Sequence, residues 1–135
     1  MGLRLCRGWD QAASAGKGDW TAGALVGEQA GIWYLCDVVR GRWDSAERNR
    51  VIRQTAELDG QQVQIVGEQE PGSGGKDQAA AFVRMLAGFA VRTVSHTANK
   101  SIRADPFSAQ VNAGNVKMLR AGWNQRLIDE MRVFP

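Results

Sequence analysis

Apolar and polar residues alternate through the N-terminal third of the chain, as they do in strands that bury one face. The runs Leu3–Trp9, Trp20–Val26 and Ile32–Val39 each predict a strand. Gly27–Gly31 predicts the turn of an antiparallel hairpin between the second and third strands. Three strands therefore lead the fold before any helix begins.

The apolar spacing changes to a helical period after this hairpin. Asp44 is predicted to be the N-cap of a helix, with Glu47 as its capping-box partner, and Asp59-Gly60 is predicted to end it. Spacing of i, i+4 and i+7 predicts an inner face that contains Val51, Thr55 and Leu58.

Short strands and helices alternate through the rest of the chain. Further strands are predicted at Gln62–Val66, Ala90–Val94 and Val116–Leu119, and a Pro/Gly-rich loop at Glu68–Gly75. One helix has Ala79, Phe82, Val83 and Leu86 at helical spacing, a second opens at Asp105-Pro106, and a third opens at Asn124. The order β-β-β-α-β-α-β-α-β-α predicts an α/β fold, with a mixed central sheet, leading antiparallel strands and helices on both faces.

The composition is that of one soluble globular domain, with 135 residues, 44% hydrophobic and 23% charged. The chain holds no apolar run long enough for a membrane helix. Cys6 and Cys36 fall inside predicted strands and are expected to be buried free thiols in a reducing cytoplasm. The single histidine, His96, excludes His-rich zinc sites. The five tryptophans lie mostly on or beside strands, so we expect core positions for most and an exposed one for Trp43.

Basic residues are unevenly distributed along the chain, whose net charge is +3. Between Gln78 and Leu127 there is one acid, Asp105, against seven cations. A second basic group consists of Arg40, Arg42, Arg48, Arg50 and Arg53. Arginine suits phosphate oxygens, so nucleic acid is the expected partner, and the alternative is a solvated basic face without a partner.

Two acids are predicted to end neighbouring strands of the sheet. Asp10 ends the first strand and Glu68 follows the fourth, and these strands are expected to be neighbours because the chain crosses over by a helix. A pair of carboxylates about 5 Å apart suits Mg²⁺ or Mn²⁺. The alternative is that both are solvated loop acids with no ligand.

The glycine-rich segment Glu70–Lys76 is not a nucleotide-hydrolysing P-loop. That motif requires glycine and a hydroxyl residue where this chain has Glu70 and Asp77. Its glycines favour either a close backbone approach or a flexible turn. Lys76 is predicted either to meet a phosphate or to be an ordinary surface lysine.

Several segments together resemble the C-terminal nuclease domain of the large subunit of tailed-phage terminases. The resemblance runs in order over essentially the whole chain, and its most specific part is Glu68–Lys76. The segments that carry it are Gly8–Ala13, Gly18–Gly23, Asp37–Arg42, Glu68–Lys76, Lys100–Pro106, Gly114–Val116, Trp123-Asn124 and Phe134-Pro135.

The resemblance implies a ribonuclease-H-like fold and a metal-dependent endonuclease that cuts concatemeric viral DNA during genome packaging, by two-metal hydrolysis. It implies that Asp10 and Glu68 hold Mg²⁺ or Mn²⁺, with Glu70 as a competitor for the second position and Asp19 as a supporting acid that acts through water. Residues expected to contact DNA phosphates are Lys76, Lys100, Arg103, Arg40 and Arg42, together with the rest of the basic group between Arg40 and Arg53.

Double-stranded DNA is the implied partner, together with the packaging ATPase domain, the small terminase subunit and the portal, in the host bacterial cytoplasm and without a membrane. The family places a third acidic ligand in a His-Asp-Asp-like segment shortly after a Phe-Pro pair. Because this sequence ends at Phe134-Pro135, we expect residues 1–135 to be a truncated nuclease domain without the ATPase domain. The alternatives are a catalytically impaired DNA-binding module of the same fold and another ribonuclease-H-like nuclease, such as a junction resolvase.

Overall fold

The alternating N-terminal pattern forms three antiparallel strands in a computed structural model that describes residues 3–12, 20–95, 108–119 and 121–132. They are β1 (Arg4–Asp10), β2 (Thr21–Gln29) and β3 (Ile32–Gly41). The predicted five-residue turn is wrong because β2 continues to Gln29. The turn consists of Ala30 and Gly31, which both have positive φ (53° and 80°), as a two-residue hairpin of matching twist requires.

The predicted order of the later elements is confirmed for the described residues. They are α1 (Ser45–Asp59), β4 (Gln64–Gln69), α2 (Ser73–Met85), β5 (Val91–Ser95), a helical segment at 108–112, β6 (Val116–Met118) and α3 (Asn124–Arg132). The predicted helix opening at Asp105-Pro106 lies outside the described residues. None of the described helices is long and apolar enough to span a bilayer.

The predicted Glu68–Gly75 loop is wrong at both ends. Glu68 continues strand β4, and α2 begins at Ser73, so the connection is only three residues long. Gly72 turns the chain with φ 92°. Gly75 lies so close to the backbone carbonyl of Glu70 that a side chain there would collide with it. Of the two predicted roles for these glycines, Gly75 therefore has the first, a close approach between two segments of backbone.

The six strands form one mixed sheet in the order β5-β4-β1-β2-β3-β6. β1 pairs antiparallel with β2, and β2 with β3, whereas β1–β4, β4–β5 and β3–β6 are parallel. The predicted mixed sheet with leading antiparallel strands is confirmed. β1 lies inside the sheet, between the antiparallel and the parallel parts.

The main core lies on one side of the sheet, which we call the core face. Trp9 of β1 and Ile65 of β4 point to it, and helices α1 and α2 cover it. The buried side chains that these helices contribute are Ile52, Ala56, Phe82 and Leu86. Each of the three large side chains, Ile52, Phe82 and Leu86, stabilises the fold by about 1.5–3 kcal/mol relative to its exposed state.

Two apolar residues predicted for inner helix faces lie at the surface instead. Leu58 of α1 is 81% exposed, because the buried stripe of this helix consists of Ile52, Thr55 and Ala56. Val83 of α2 is 42% exposed. The predicted N-cap of α1 is confirmed, since the Asp44 side chain accepts a hydrogen bond from the Glu47 amide (2.8 Å).

Helix α3 lies on the opposite side of the sheet, which we call the site face. Val38 and Arg40 alternate along β3 with Val39, whose side chain packs against the main core. Val38 and Arg40 instead line a cavity with Trp123 and Leu127 of the α3 region. Helices therefore pack on both faces, as predicted.

Glycines on two strands allow aromatic rings to lie close to the core face of the sheet. A Cβ atom at Gly23 would lie 2.6 Å from the Trp9 ring, and one at Gly67 would lie 2.8 Å from the Phe82 ring. Both aromatic side chains therefore use space that only glycine leaves free.

Neither cysteine is fully buried, in contrast to the expectation. Cys6 and Cys36 are free thiols of intermediate exposure. Burial raises the pKa of both thiols, and in Cys6 the nearby Arg92 opposes this effect. Both thiols are therefore held further toward their protonated form than an exposed cysteine.

A buried arginine links β1 to three other elements. Arg7, 3% exposed, donates through Nε and Nη2 to the Asp59 carboxylate at the end of α1 (2.9 and 2.8 Å). Its Nη1 donates to Asp37 Oδ2 of β3 (2.9 Å) and to the Gly23 carbonyl of β2 (3.1 Å). Burial acts to lower the pKa of Arg7, but the bonds to Asp59 and Asp37 outweigh it and raise that pKa. Arg7 therefore stays charged inside the fold.

We expect Arg7→Met to lower the free energy of unfolding by about 3–5 kcal/mol, because it leaves two carboxylates without their buried partner. Arg4→Met on the same strand is the matched control. Arg4 pairs with Glu28 at 2.8 Å but is 84% exposed, so its loss should cost at most about 1 kcal/mol. Urea unfolding measures the free energy of unfolding of both variants. Equal decreases in that free energy would contradict the role given to Arg7.

Candidate metal and nucleic-acid site

The parallel register of β1 and β4 brings two acids together. Trp9 is the partner of Gly67 in this register, so the next position along both strands pairs Asp10 with Glu68. The two residues lie on the same face of adjacent strands, which are about 4.8 Å apart. The prediction that the first and fourth strands are neighbours is confirmed.

Both carboxylates lie on the site face, opposite the buried Trp9 ring. Asp10 and Glu68 are exposed, and a pair of carboxylate oxygens suits hard cations such as Mg²⁺ and Mn²⁺. Within residues 3–12, 20–95, 108–119 and 121–132, no three His, Cys, Asp or Glu side chains come together as a metal-binding group. The described part of the chain thus has two adjacent carboxylates at this position.

The other two predicted acids are placed differently. Glu70 follows the end of β4 at Gln69, so strand alternation does not fix its side chain on the site face. Glu70 stays a predicted competitor for the second ligand position. Asp19 lies outside the described residues.

The backbone just after Asp10 is held from two sides. The Ala12 amide donates to Oγ1 of Thr21 (2.9 Å), and the Ala12 carbonyl accepts a hydrogen bond from Nη1 of Arg48 (3.0 Å). Thr21 is fully buried. These two bonds fix where the chain leaves β1 and so restrict the position of Asp10. Sequence reasoning missed both, because the two contacts join residues far apart in the chain.

A guanidinium–indole stack lies at the other side of the site face. Cζ of Arg40 and Cζ of Arg42 lie 4.3 and 4.5 Å from the centroid of the Trp20 ring. Trp20 and Trp33 are 37% and 40% exposed, so the core position expected for them is wrong. Trp43, expected at the surface, is half-buried, with its ring against Gly41.

Arg40 lies in one row with the two acids. Ala22 is the register partner of Asp10 on one side and of Arg40 on the other. Arg40 is therefore two strands from Asp10, about 10 Å away, on the site face. Lys76 is exposed in the first turns of α2, after the end of β4. Lys100 and Arg103 lie outside the described residues.

The remaining arginines of the second basic group belong to α1, which covers the core face. Arg48 bonds to Ala12, Arg50 pairs with Glu47, and Arg53 donates to the carbonyls of Met85 and Ala87 (both 3.1 Å). The structure gives these three arginines partners within the fold, and their role as DNA phosphate contacts stays a prediction.

The sheet begins with three antiparallel strands, and its first and fourth strands are parallel neighbours. This arrangement is that of a ribonuclease-H-like fold. The chain belongs to the family described as the terminase RNaseH-like domain, which it matches over residues 7–135. The resemblance found in the sequence is thereby confirmed. A comparison with curated proteins found no match.

Solved structures of terminase nucleases share this fold. The large terminase nuclease of the thermophilic phage G20c with bound zinc has a TM-score of 0.69 and 14% identity, over 98% of this chain and 71% of that one. The terminase nuclease domain of human cytomegalovirus, soaked with manganese, has a TM-score of 0.66 and 12% identity, over 97% and 74%. The G20c nuclease with bound magnesium has a TM-score of 0.58 and 13% identity, over 86% and 58%.

We expect Thr21→Val to weaken Mn²⁺ binding at Asp10 roughly tenfold, because residues that orient a metal ligand contribute on that scale. Thr21→Ser keeps the hydroxyl that accepts the Ala12 amide and should restore binding. Calorimetric titration with Mn²⁺ measures both, and circular dichroism checks that each variant is folded. Equal Mn²⁺ affinity in wild type and Thr21→Val would contradict the positioning role.

Proposed function

We propose that this chain is the nuclease domain of a viral DNA-packaging terminase and cleaves DNA with a divalent metal ion held by Asp10 and Glu68. The observation that carries the proposal is the β1–β4 register, which sets these two exposed carboxylates side by side. Family membership supports a nuclease role. The zinc, magnesium and manganese named for structures of the same fold support a divalent ion.

The donor set of the site fits Mg²⁺ or Mn²⁺, because Asp10 and Glu68 provide only oxygen. A bound divalent ion supplies Lewis acidity for phosphodiester hydrolysis, and the two-ion form is the one that the family resemblance implies. Asp10, on the clamped end of β1, and Glu68, on β4, would hold the ion at the exposed edge of the site face. Glu70 remains the alternative to Glu68.

Cations around the acids would hold the DNA backbone. Arg40 and Arg42 stack on Trp20, and Lys76 follows the end of β4. Contacts of this kind position a duplex without reading its bases. Lys100 and Arg103 remain predicted phosphate contacts. The proposed partners beyond DNA are the packaging ATPase domain, the small terminase subunit and the portal, in the host bacterial cytoplasm, and only the family resemblance supports them.

We expect the protein to nick supercoiled plasmid DNA with Mg²⁺ or Mn²⁺, and Asp10→Asn and Glu68→Gln each to slow nicking by about 100-fold or more. Each substitution removes a charge that holds the ion and keeps the shape of the side chain. Glu70→Gln tests the competing ligand, and Asp77→Asn on the exposed surface of α2 is the matched control. Gel electrophoresis with and without EDTA measures the rates.

Nicking that persists in EDTA, or in Asp10→Asn, would contradict the proposal. Loss of nicking in Glu70→Gln but not in Glu68→Gln would transfer the second ligand position to Glu70. Salt-sensitive DNA binding without cleavage at any concentration of metal would support the alternative, a non-catalytic DNA-binding module of the same fold.

A further inference from the structure

A cleft between β3 and α3 opens on the site face. Its volume is about 390 Å³, and it is lined by Val38, Arg40, Gly122, Trp123, Arg126 and Leu127. The described residues that line it bring two guanidinium groups, an indole ring and aliphatic side chains, and none of them is a carboxylate. Its ligand should therefore combine negative charge with an apolar or aromatic part.

The two arginines of the cleft come from different elements. Arg40 is on β3 and Arg126 is on α3, so both reach the same cavity only through the tertiary fold. Arg40 is held by its stack on Trp20, with Cζ 4.3 Å from the ring centroid. An arginine held in this way loses less conformational freedom when it binds a phosphate than a free surface arginine would.

We infer that this cleft binds a phosphate of a DNA strand, between Arg40 and Arg126, with the attached sugar against Trp123 and Leu127. The inference rests on the proposed function, because it assigns the cleft to the same substrate. Guanidinium groups form paired hydrogen bonds with phosphate oxygens, and the carbon-rich face of a deoxyribose suits an apolar wall.

The position of the cleft favours a DNA strand over a free nucleotide. Arg40 shares a row of the sheet with Asp10, about 10 Å away. Because one strand of DNA rises by about 3.4 Å per nucleotide, a phosphate in the cleft lies within about three nucleotides of the phosphate at Asp10. The cleft would thus hold the strand next to the cleaved bond and set its direction across the site face.

The test measures DNA binding in Asp10→Asn protein with EDTA, so that it does not depend on cleavage. Fluorescence anisotropy of a labelled duplex gives Kd over a range of salt concentrations. We expect Arg40→Gln and Arg126→Gln each to weaken binding about tenfold and to reduce the slope of log K against log salt by about 0.9, the value for one lost phosphate contact. Arg84→Gln, an exposed arginine of α2 over the core face, is the matched control and should leave both unchanged.

The double variant Arg40→Gln/Arg126→Gln separates one shared phosphate from two independent contacts. If both arginines bind one phosphate, the double variant weakens binding much less than the product of the single effects. The inference would be overturned if Arg84→Gln lost as much DNA affinity as Arg40→Gln and Arg126→Gln. It would also be overturned if the loss of affinity in the double variant equalled the product of the two single losses. Binding of free deoxynucleoside monophosphate that Arg126→Gln abolishes while duplex binding is unchanged would overturn it as well.

These outcomes are separate from those of the nuclease proposal. A protein that never nicks DNA can still show the Arg40–Arg126 coupling, and a nuclease that nicks DNA can show no effect of Arg126→Gln. Circular dichroism melting of each variant shows whether the protein is still folded. If Arg126→Gln melts at a lower temperature than wild type, it is replaced by Arg126→Lys, which keeps the charge but loses the planar guanidinium. Full DNA affinity in a folded Arg126→Lys protein would overturn the paired contact.

Discussion

The buried guanidinium of Arg7 is the interaction on which the arrangement of the site depends. It joins β1 to the end of α1 through Asp59, to β3 through Asp37 and to the backbone of β2. A buried charge tolerates no displacement that would leave it unpaired, so β1 is fixed both along its length and about its axis. Three residues further along the same strand is Asp10.

Because side chains alternate along a strand, fixing β1 also fixes the face to which Asp10 points. Arg7 and Trp9 point to the core face, so Asp10 points to the other, and the parallel register sets Glu68 beside it. The glycines at positions 23 and 67 let the Trp9 and Phe82 rings lie close to the core face of the sheet, beneath the strands that carry the two acids. The acids thus lie exposed above a buried base, which is the arrangement that the proposed metal site requires.

Local patterns in the sequence were enough for the element order, the mixed sheet and the pairing of the strands that carry Asp10 and Glu68. Periodicity and caps are local, and they predicted α1 almost to the residue. The sequence was misleading where tertiary contacts override local signals: glycines that read as a loop belong to the first turn of α2, and Leu58 lies outside the stripe that packs. Arg7, the Thr21–Ala12–Arg48 clamp and the Arg40–Arg126 cleft each join distant segments, and no local pattern predicts them.

The central claim is that Asp10 and Glu68 form one metal-binding site. Isothermal titration of Mn²⁺ into wild type, Asp10→Asn, Glu68→Gln and the double variant tests it most directly. The account predicts that each single variant loses at least about tenfold in affinity, and that the double variant loses little more, since both carboxylates bind the same ion. Mn²⁺ binding at wild-type strength in either single variant, or losses that multiply in the double variant, would contradict it.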